Sequence, residues 1–266
     1  MKLKSAVAYR VCLFLFICLC FHQAKAQSTS DSENKSAING ISVKTTKLEF
    51  LDANRNRVIP VLLYSAIEKG GSQLTSKKIA IINHGYGGKN TDYFFIASNL
   101  VARGYVVASI QHELPSDEPL PTTTDNIYEA RKPSWERGAQ NILFVIQELK
   151  KTNPNLNYKK LLLIGHSHGG DTIMIFVREH SKLVNKVISL DNRRVPIPRV
   201  KKPKILSIRS SDQVADSGVL PTLKEQKKFN IKIIKLENTF HNDMWDGGTA
   251  VQKQQINKII SRFLEN

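Results

Sequence analysis

The run Leu161-Leu162-Leu163-Ile164-Gly165-His166-Ser167-His168-Gly169-Gly170-Asp171 decides the fold of this chain. Apolar residues lead into a Gly-x-Ser-x-Gly pattern, and a stretch of helical character follows it. This order predicts a buried strand, a sharp turn at Ser167 and a helix. Gly165 and Gly169 leave room for the two backbones to approach each other. We therefore expect the Ser167 hydroxyl to project from a strained turn, next to the free N–H groups of a helix N-terminus.

Strands and helices alternate on both sides of this run. Strands are predicted at 79–83, 105–110, 160–164, 187–190, 205–208 and 231–236, and helices at 93–103, 135–151, 172–180, 223–228 and 251–264. Ser134 is the predicted N-cap of the second helix, which leaves 111–132 as a long loop containing three prolines. Alternation of this kind is typical of a parallel sheet covered by helices on both faces. Before it, 41–51 and 58–66 predict an antiparallel hairpin at the sheet edge.

The first 26 residues have the composition of a signal peptide. Lys2, Lys4 and Arg10 precede an apolar run at 11–21, and Ala24-Lys25-Ala26 matches an A-x-A cleavage site. The apolar run is shorter than the about 20 residues that a membrane span needs. We expect cleavage after Ala26 and a secreted or periplasmic protein without a stable membrane anchor.

The rest of the chain is predicted to contain a flexible lead-in at 27–40 and a single domain at 41–266. All three cysteines, Cys12, Cys18 and Cys20, lie in the segment expected to be removed. The mature chain would then contain no disulfide, no thiol nucleophile and no cysteine metal site.

The chain is strongly basic, with a formal net charge of +16. Removal of the first 26 residues, which hold four basic residues and no acidic one, leaves +12. The positive residues are scattered, without interleaved aromatic residues or a nucleic-acid motif, so we expect no nucleic-acid partner. Attraction to acidic surfaces remains an expectation from the charge alone.

The strand, Gly-x-Ser-x-Gly turn and helix resemble the nucleophile elbow of the α/β-hydrolase superfamily, in particular its dienelactone-hydrolase-like and polyester-hydrolase-like esterases. The resemblance covers about 41–264. It implies an α/β-hydrolase fold, with a mostly parallel central sheet, an antiparallel N-terminal hairpin and helices on both faces. Many members insert a helical lid after the elbow helix, but the segment 191–203 is too short for one. The loop 111–132 is then the candidate for a partial wall of an open site.

In this superfamily the catalytic residues follow one another in the order Ser, acid, His. The resemblance therefore implies Ser167 as nucleophile and His241, in the loop after the last strand, as general base. The acid is predicted to be Asp212, because Arg209-Ser210-Ser211-Asp212-Gln213-Val214 resembles the Gly-x-x-Asp-x-Val segment of dienelactone-hydrolase-like esterases. Arg209 departs from that pattern. Asp216 and Asp191 remain alternative acids.

The segment His84-Gly85-Tyr86-Gly87-Gly88 follows the first predicted parallel strand. By the resemblance, the backbone N–H groups of Tyr86 and His168 hold the oxyanion, and the Tyr86 ring forms one wall of the acyl site. An ordinary glycine turn with a surface tyrosine is the alternative. His84, His166 and His168 lack further ligands at metal-binding spacing, so we expect no metal and no cofactor.

The sequence thus predicts a serine hydrolase that cleaves a small-molecule or polymer carboxylic ester through an acyl-enzyme. A peptidase or amidase of the same fold, and a non-catalytic binding protein that kept the fold, are the alternatives.

Overall fold

The computed structural model of the protein describes residues 27–32, 37–38, 41–67 and 78–265, and the predicted signal peptide lies outside them. The strands are β1 (Gln27–Ser32), β2 (Ala37–Ile38), β3 (Ile41–Asp52), β4 (Arg57–Ala66), β5 (Lys78–Asn83), β6 (Tyr105–Ile110), β7 (Asn157–His166), β8 (Lys186–Leu190), β9 (Lys204–Arg209) and β10 (Ile231–Lys235). The helices are α1 (Phe94–Val101), α2 (Ile127–Thr152), α3 (His168–His180), α4 (Leu223–Phe229) and α5 (Ala250–Glu265). None of these described helices is long and apolar enough to cross a membrane.

The central sheet has the strand order β1-β3-β4-β6-β5-β7-β8-β9-β10, and β2 pairs with β3 beside it. Along this order, neighbouring strands from β6 through β5 to β10 pair parallel. The neighbours among β1, β3, β4 and β6 pair antiparallel. The predicted mostly parallel sheet with an antiparallel N-terminal hairpin is confirmed. The strand β7 lies among the central strands, so the turn that follows it is at the middle of the sheet's carboxyl edge.

Helices cover both faces of the sheet, as predicted. Alternate side chains of β5 point to opposite sides, because successive residues of a strand face opposite ways. Ile79 and Ile81 join a core with α2 and α3, whereas Ala80 and Ile82 join a second core with α1 and α5. These two apolar layers fix the ends of the strands that carry the site.

The N-terminal residues differ from the prediction. The segment 27–40, predicted to be a flexible lead-in, contains β1 and β2, both paired antiparallel with β3. The free edge of β3 offers unpaired N–H and C=O groups, and an extended segment beside such an edge satisfies them by pairing.

The helix α2 begins earlier than predicted. It starts at Ile127, and its N-cap is Asn126, whose side chain accepts a hydrogen bond of 3.2 Å from the Glu129 amide. Pro133 lies inside the helix, and Ser134, the predicted N-cap, donates its hydroxyl to the Arg131 carbonyl instead. The helical turns before Pro133 place the Tyr128 ring on the Trp135 ring, with 5.4 Å between the two ring centroids, a contact that the sequence does not predict.

The connection between β8 and β9 contains no helix, so no lid covers the carboxyl edge of the described sheet. With α2 extended, the long loop spans only 111–126. The end of β7 is therefore not covered by an insertion between β8 and β9.

Candidate active site

The strained turn predicted at Ser167 is confirmed. Ser167 has φ 51° and ψ −115°, and it is the N-cap of α3 directly after β7. A side chain at Gly165 would overlap the Gly169 carbonyl, and one at Gly169 would overlap the Asn83 carbonyl. Both glycines are therefore required by the close approach of backbones, and they hold the hydroxyl at the start of the helix.

His241 lies between Ser167 and a buried carboxylate. The Ser167 hydroxyl donates to His241 Nε2 over 2.8 Å, and His241 Nδ1 donates to Asp191 Oδ2 over 2.6 Å. His241 begins a short 3-10 turn after β10, whereas Asp191 directly follows β8. Three distant parts of the chain thus form one hydrogen-bonded line of hydroxyl, imidazole and carboxylate.

The prediction that Asp212 is the acid beside the His241 ring is corrected to Asp191, one of the two alternatives. Asp212 accepts a hydrogen bond of 2.7 Å from the backbone N–H of His241, so it holds the loop rather than the ring. The other alternative, Asp216, forms an ion pair of 2.8 Å with Arg194. Asp191 reaches the ring because its positive φ of 56° turns the chain sharply at the end of β8.

The Asp191 carboxylate is fully buried and fully partnered. The Ser210 hydroxyl donates to it over 2.8 Å and the Ser210 amide over 3.2 Å. Arg209 Nη2 lies 2.7 Å from Asp191 Oδ1, an ion-pair contact rather than a well-directed hydrogen bond. Burial alone would raise the pKa of Asp191, but the His241 hydrogen bond, the Arg209 charge and the Ser210 hydrogen bonds together lower it below its usual value.

Arg209 therefore explains the departure from the Gly-x-x-Asp-x-Val pattern. Its side chain is buried, and Nη1 donates to the Asn192 carbonyl while Nη2 faces Asp191. A buried cation at this position is the sequence signal that could have identified Asp191, because a buried charge needs an opposite charge beside it.

The loop after Asp191 is held by a second carboxylate, Asp171, in the first turn of α3. Its Oδ1 accepts hydrogen bonds from the backbone amides of Arg193, Arg194 and Val195, at 3.2, 2.9 and 2.8 Å. Burial raises the pKa of Asp171 to about 6, although these amides act in the opposite direction. The elbow helix thereby positions the segment that carries the acid.

The loop 84–88, which we name the oxyanion loop, is held at several points beside Ser167. The Gly87 amide donates to Glu113 Oε2 over 2.8 Å, and the Leu120 amide donates to the Tyr86 hydroxyl over 3.2 Å. Gly87 has φ +73°, which favours glycine. Tyr86 borders the same cleft as Ser167, and His168 is the first residue of α3, whose N–H has no partner within the helix.

The histidines on either side of Ser167 are both buried and neutral. Burial above all lowers the pKa values of His166 and His168 to about 3, with the His241 ring acting in the same direction on His166, and His84, Arg131 and Arg137 on His168. Trp135 Nε1 donates to His168 Nδ1 over 2.9 Å, which ties the first turn of α3 to α2. In the part of the chain that the structure describes, no three His, Cys, Asp or Glu side chains group as metal ligands.

A cleft of about 450 Å³ opens beside Ser167. Its walls combine the oxyanion loop with polar and aromatic side chains, namely Asp92, Tyr93, Arg131, His166, His241, Asn242 and Trp245. Tyr86 and Trp245 are 45% and 39% exposed, so aromatic surface lies at its mouth. Trp135, by contrast, is fully buried in the core. The loop 111–126 supports two of the wall residues, because the Leu120 amide donates to the Tyr86 hydroxyl and the Pro121 carbonyl accepts from Arg131 Nε.

The sequence matches no known protein-family model, and no curated protein matches it. The structure is similar to a ferulic acid esterase from Streptomyces cinnamoneus, with a TM-score of 0.60 and 14% identity over 86% of this chain and 92% of that one. It is also similar to a dienelactone hydrolase-like promiscuous phosphotriesterase from metagenomic libraries, with a TM-score of 0.60 and 13% identity over 83% of this chain and 98% of that one. A thermostable esterase gives a TM-score of 0.58 and 17% identity over 83% of this chain and 62% of that one. At these identities the similarity shows the fold, which is the α/β-hydrolase fold.

Proposed function

We propose that the protein is a serine hydrolase that cleaves carboxylic esters through an acyl-enzyme. The observation that carries the proposal is the continuous line from Ser167 through His241 to Asp191, in which each member has the partner that the reaction needs. A strained serine at a helix N-terminus, next to a glycine-rich loop, supports the same assignment.

In the first half of the proposed reaction, His241 Nε2 takes the Ser167 proton while Oγ attacks the ester carbonyl. Asp191 keeps the ring hydrogen on Nδ1, so that Nε2 is free to accept, and it stabilises the imidazolium that forms. The carbonyl oxygen becomes an oxyanion, held by the backbone N–H groups of Tyr86 and His168. Donors of this kind each contribute about 3 kcal/mol to a transition state.

In the second half, His241 gives its proton to the departing alcohol, and the acyl group stays on Ser167. Water then enters, His241 takes a proton from it, and the acid leaves as Ser167 recovers its hydrogen. The ion pair of Asp191 with Arg209 keeps the carboxylate ionised through both halves.

Esters are favoured over amides as substrates. This preference is supported by the similar structures that carry functional names, which include a ferulic acid esterase and a thermostable esterase. The open cleft and the aromatic surface of Tyr86 and Trp245 suit either a small-molecule ester or a segment of a polymer. We further propose that the protein acts outside the cytoplasm, after removal of residues 1–26, and that its positive charge favours acidic surfaces.

Intact-mass labelling with a fluorophosphonate tests the nucleophile. The mature chain should gain a single adduct, and Ser167→Ala should gain none while giving the same circular dichroism spectrum. Ser210→Ala is a matched control at a buried serine next to Asp191, and it should still be labelled. A folded wild-type protein that remains unlabelled would refute the triad and favour the binding-protein alternative.

Matched ester and amide substrates then decide the reaction class. Hydrolysis of 4-nitrophenyl acetate should exceed that of 4-nitroacetanilide by several orders of magnitude and should vanish in Ser167→Ala. Comparable rates for both would instead support the peptidase or amidase alternative.

A further inference from the structure

Two buried side chains, Tyr93 and His166, connect the oxyanion loop with the loop that carries His241. The Gly85 amide donates to the Tyr93 hydroxyl over 3.1 Å, and that hydroxyl lies 2.8 Å from His166 Nδ1. His166 Nε2 in turn lies 3.1 Å from the His241 carbonyl oxygen. We name this series of hydrogen bonds the Tyr93–His166 bridge. Tyr93 and His166 are only 4% and 6% exposed, so water cannot readily replace either group.

Chemistry fixes the direction of every hydrogen bond in the bridge. An amide N–H can only donate, so the Tyr93 oxygen accepts from Gly85. A carbonyl can only accept, so His166 Nε2 carries the ring hydrogen and donates it to His241. Burial lowers the pKa of His166 to about 3, so the ring is neutral with its hydrogen on Nε2, and the unprotonated Nδ1 accepts from the Tyr93 hydroxyl.

The His166 ring also packs on the base itself. The ring centroids of His166 and His241 are 4.9 Å apart at an angle of 42°, and those of Tyr93 and His166 are 5.8 Å apart. Burial, followed by the proximity of His241, lowers the pKa of His166 to about 3. His166 thus remains uncharged beside His241 when that ring takes the serine proton.

We propose that Tyr93 and His166 are positioning residues that hold the oxyanion loop and the general base at a fixed spacing around Ser167. Gly85 precedes the Tyr86 amide donor, His166 precedes the nucleophile, and the His241 carbonyl belongs to the base. One buried connection therefore sets the relative position of all three parts. The inference rests on the proposed function, because a spacing matters only if these groups act in the same reaction.

Tyr93→Phe is the sharpest perturbation, because it removes one hydroxyl and keeps the ring. Small misplacements of reacting groups lower rates by about 100-fold, so we expect kcat for 4-nitrophenyl acetate to fall about 10- to 100-fold while KM changes less than about twofold. Tyr105→Phe, at a buried tyrosine on the opposite end of the sheet, should leave both constants unchanged. An unchanged kcat in a folded Tyr93→Phe protein would overturn the proposal.

A double-mutant cycle separates positioning from a general loss of stability. If Tyr93 and His166 act through one connection, Tyr93→Phe combined with His166→Leu should lose about as much activity as the more damaging single change. His166→Gln should recover part of the activity lost in His166→Leu, because its amide nitrogen can donate to the His241 carbonyl. Fully additive losses, or equal activity of the Gln and Leu variants, would contradict a shared positioning role.

A measurement independent of activity completes the test. Long-range ¹H–¹⁵N spectra of the wild-type protein at pH 7 should show His166 neutral, with its hydrogen on Nε2, and the Nδ1 signal should move in Tyr93→Phe. A hydrogen on Nδ1 would overturn the bridge even if ester hydrolysis proceeds. Conversely, if the wild type hydrolyses no ester, the proposed function fails, whereas the spectra still decide whether the bridge exists.

Discussion

The buried neutral histidines beside Ser167 should make the protein acid-sensitive. His166 and His168 have pKa values lowered to about 3, whereas an unfolded chain keeps them near 6.5. The unfolded state therefore binds protons that the folded state excludes, so the stability that these rings contribute is complete above pH 6.5 and is lost as the pH falls. The pKa values of His84 and His112 are also lowered by burial and act in the same direction.

The size of the effect follows from these values. At pH 5 each ring lies about 1.5 pH units below its unfolded pKa, and one unit corresponds to about 1.4 kcal/mol, so each lowers the free energy of unfolding by about 2 kcal/mol. Asp171 acts in the opposite direction, because its pKa is raised to about 6 and protonation at pH 5 relieves about 1.4 kcal/mol. These three groups together give a net loss of about 3 kcal/mol between pH 7.5 and pH 5, to which His84 and His112 add, and this is a large share of the about 5–15 kcal/mol typical of a domain.

Urea denaturation followed by circular dichroism at the two pH values measures this loss. His168→Gln provides the internal control, because its carbonyl can accept from Trp135 Nε1 but cannot be protonated. That variant should lose about 2 kcal/mol less than the wild type between pH 7.5 and pH 5. Asp171→Asn should lose about 1.4 kcal/mol more than the wild type. Equal stability of the wild type at both pH values, or an unchanged pH dependence in His168→Gln, would refute the reasoning.

Three further predictions concern the acid and the elbow. Asp191→Asn should lower kcat by about 10³- to 10⁴-fold, as loss of the orienting acid does in other triads. Asp212→Asn keeps an oxygen that can accept from the His241 amide, so its kcat should fall less than about tenfold. If Asp212→Asn lost more activity than Asp191→Asn, Asp212 would again be the better candidate for the acid. Arg209→Met leaves the buried Asp191 carboxylate without its cation and should lower the free energy of unfolding by about 3 kcal/mol. Urea denaturation at pH 7.5 measures this change, and an unchanged midpoint would contradict the prediction. Gly165→Ala pushes a methyl group against the Gly169 backbone, so we expect the variant not to yield a soluble protein that unfolds cooperatively. A variant with wild-type activity and wild-type thermal melting would show that the elbow is less tightly packed than described.

Local patterns in the sequence are sufficient for the elbow and for the strands β3 to β10, although not for β1 and β2. The apolar residues leading into Gly165-His166-Ser167 predicted β7 and its turn, because a strand, a strained serine and a helix are specified within one short segment. His241 was found by its place after the last strand. These features depend on neighbours in the chain, and the structure reproduces them.

The acid and the start of α2 depend instead on contacts between distant segments. Asp191 and Asp212 both follow strands. Only the pairing of β8 with β9, which brings Arg209 at the end of β9 next to Asp191, decides which carboxylate contacts the His241 ring. Likewise Ser134 predicts the start of α2, whereas the helix begins at Ile127, and the contact of Tyr128 with Trp135 belongs to the helical turns before Ser134. In both cases a tertiary contact prevailed over a local signal.

The position of Asp191 after β8 also divides the proposed triad into two members that the sheet holds and one member that a loop holds. Ser167 and Asp191 follow adjacent paired strands, and the Ser167 amide donates to the Leu190 carbonyl over 2.8 Å, so the backbone ladder of the sheet fixes both. His241 lies in a loop, so it can move away from Ser167 without the separation of any pair of strands in the sheet. Partial unfolding of the loop around His241 would then remove the proposed base from Ser167 while the domain stays folded, so we expect loss of activity on heating to precede global melting.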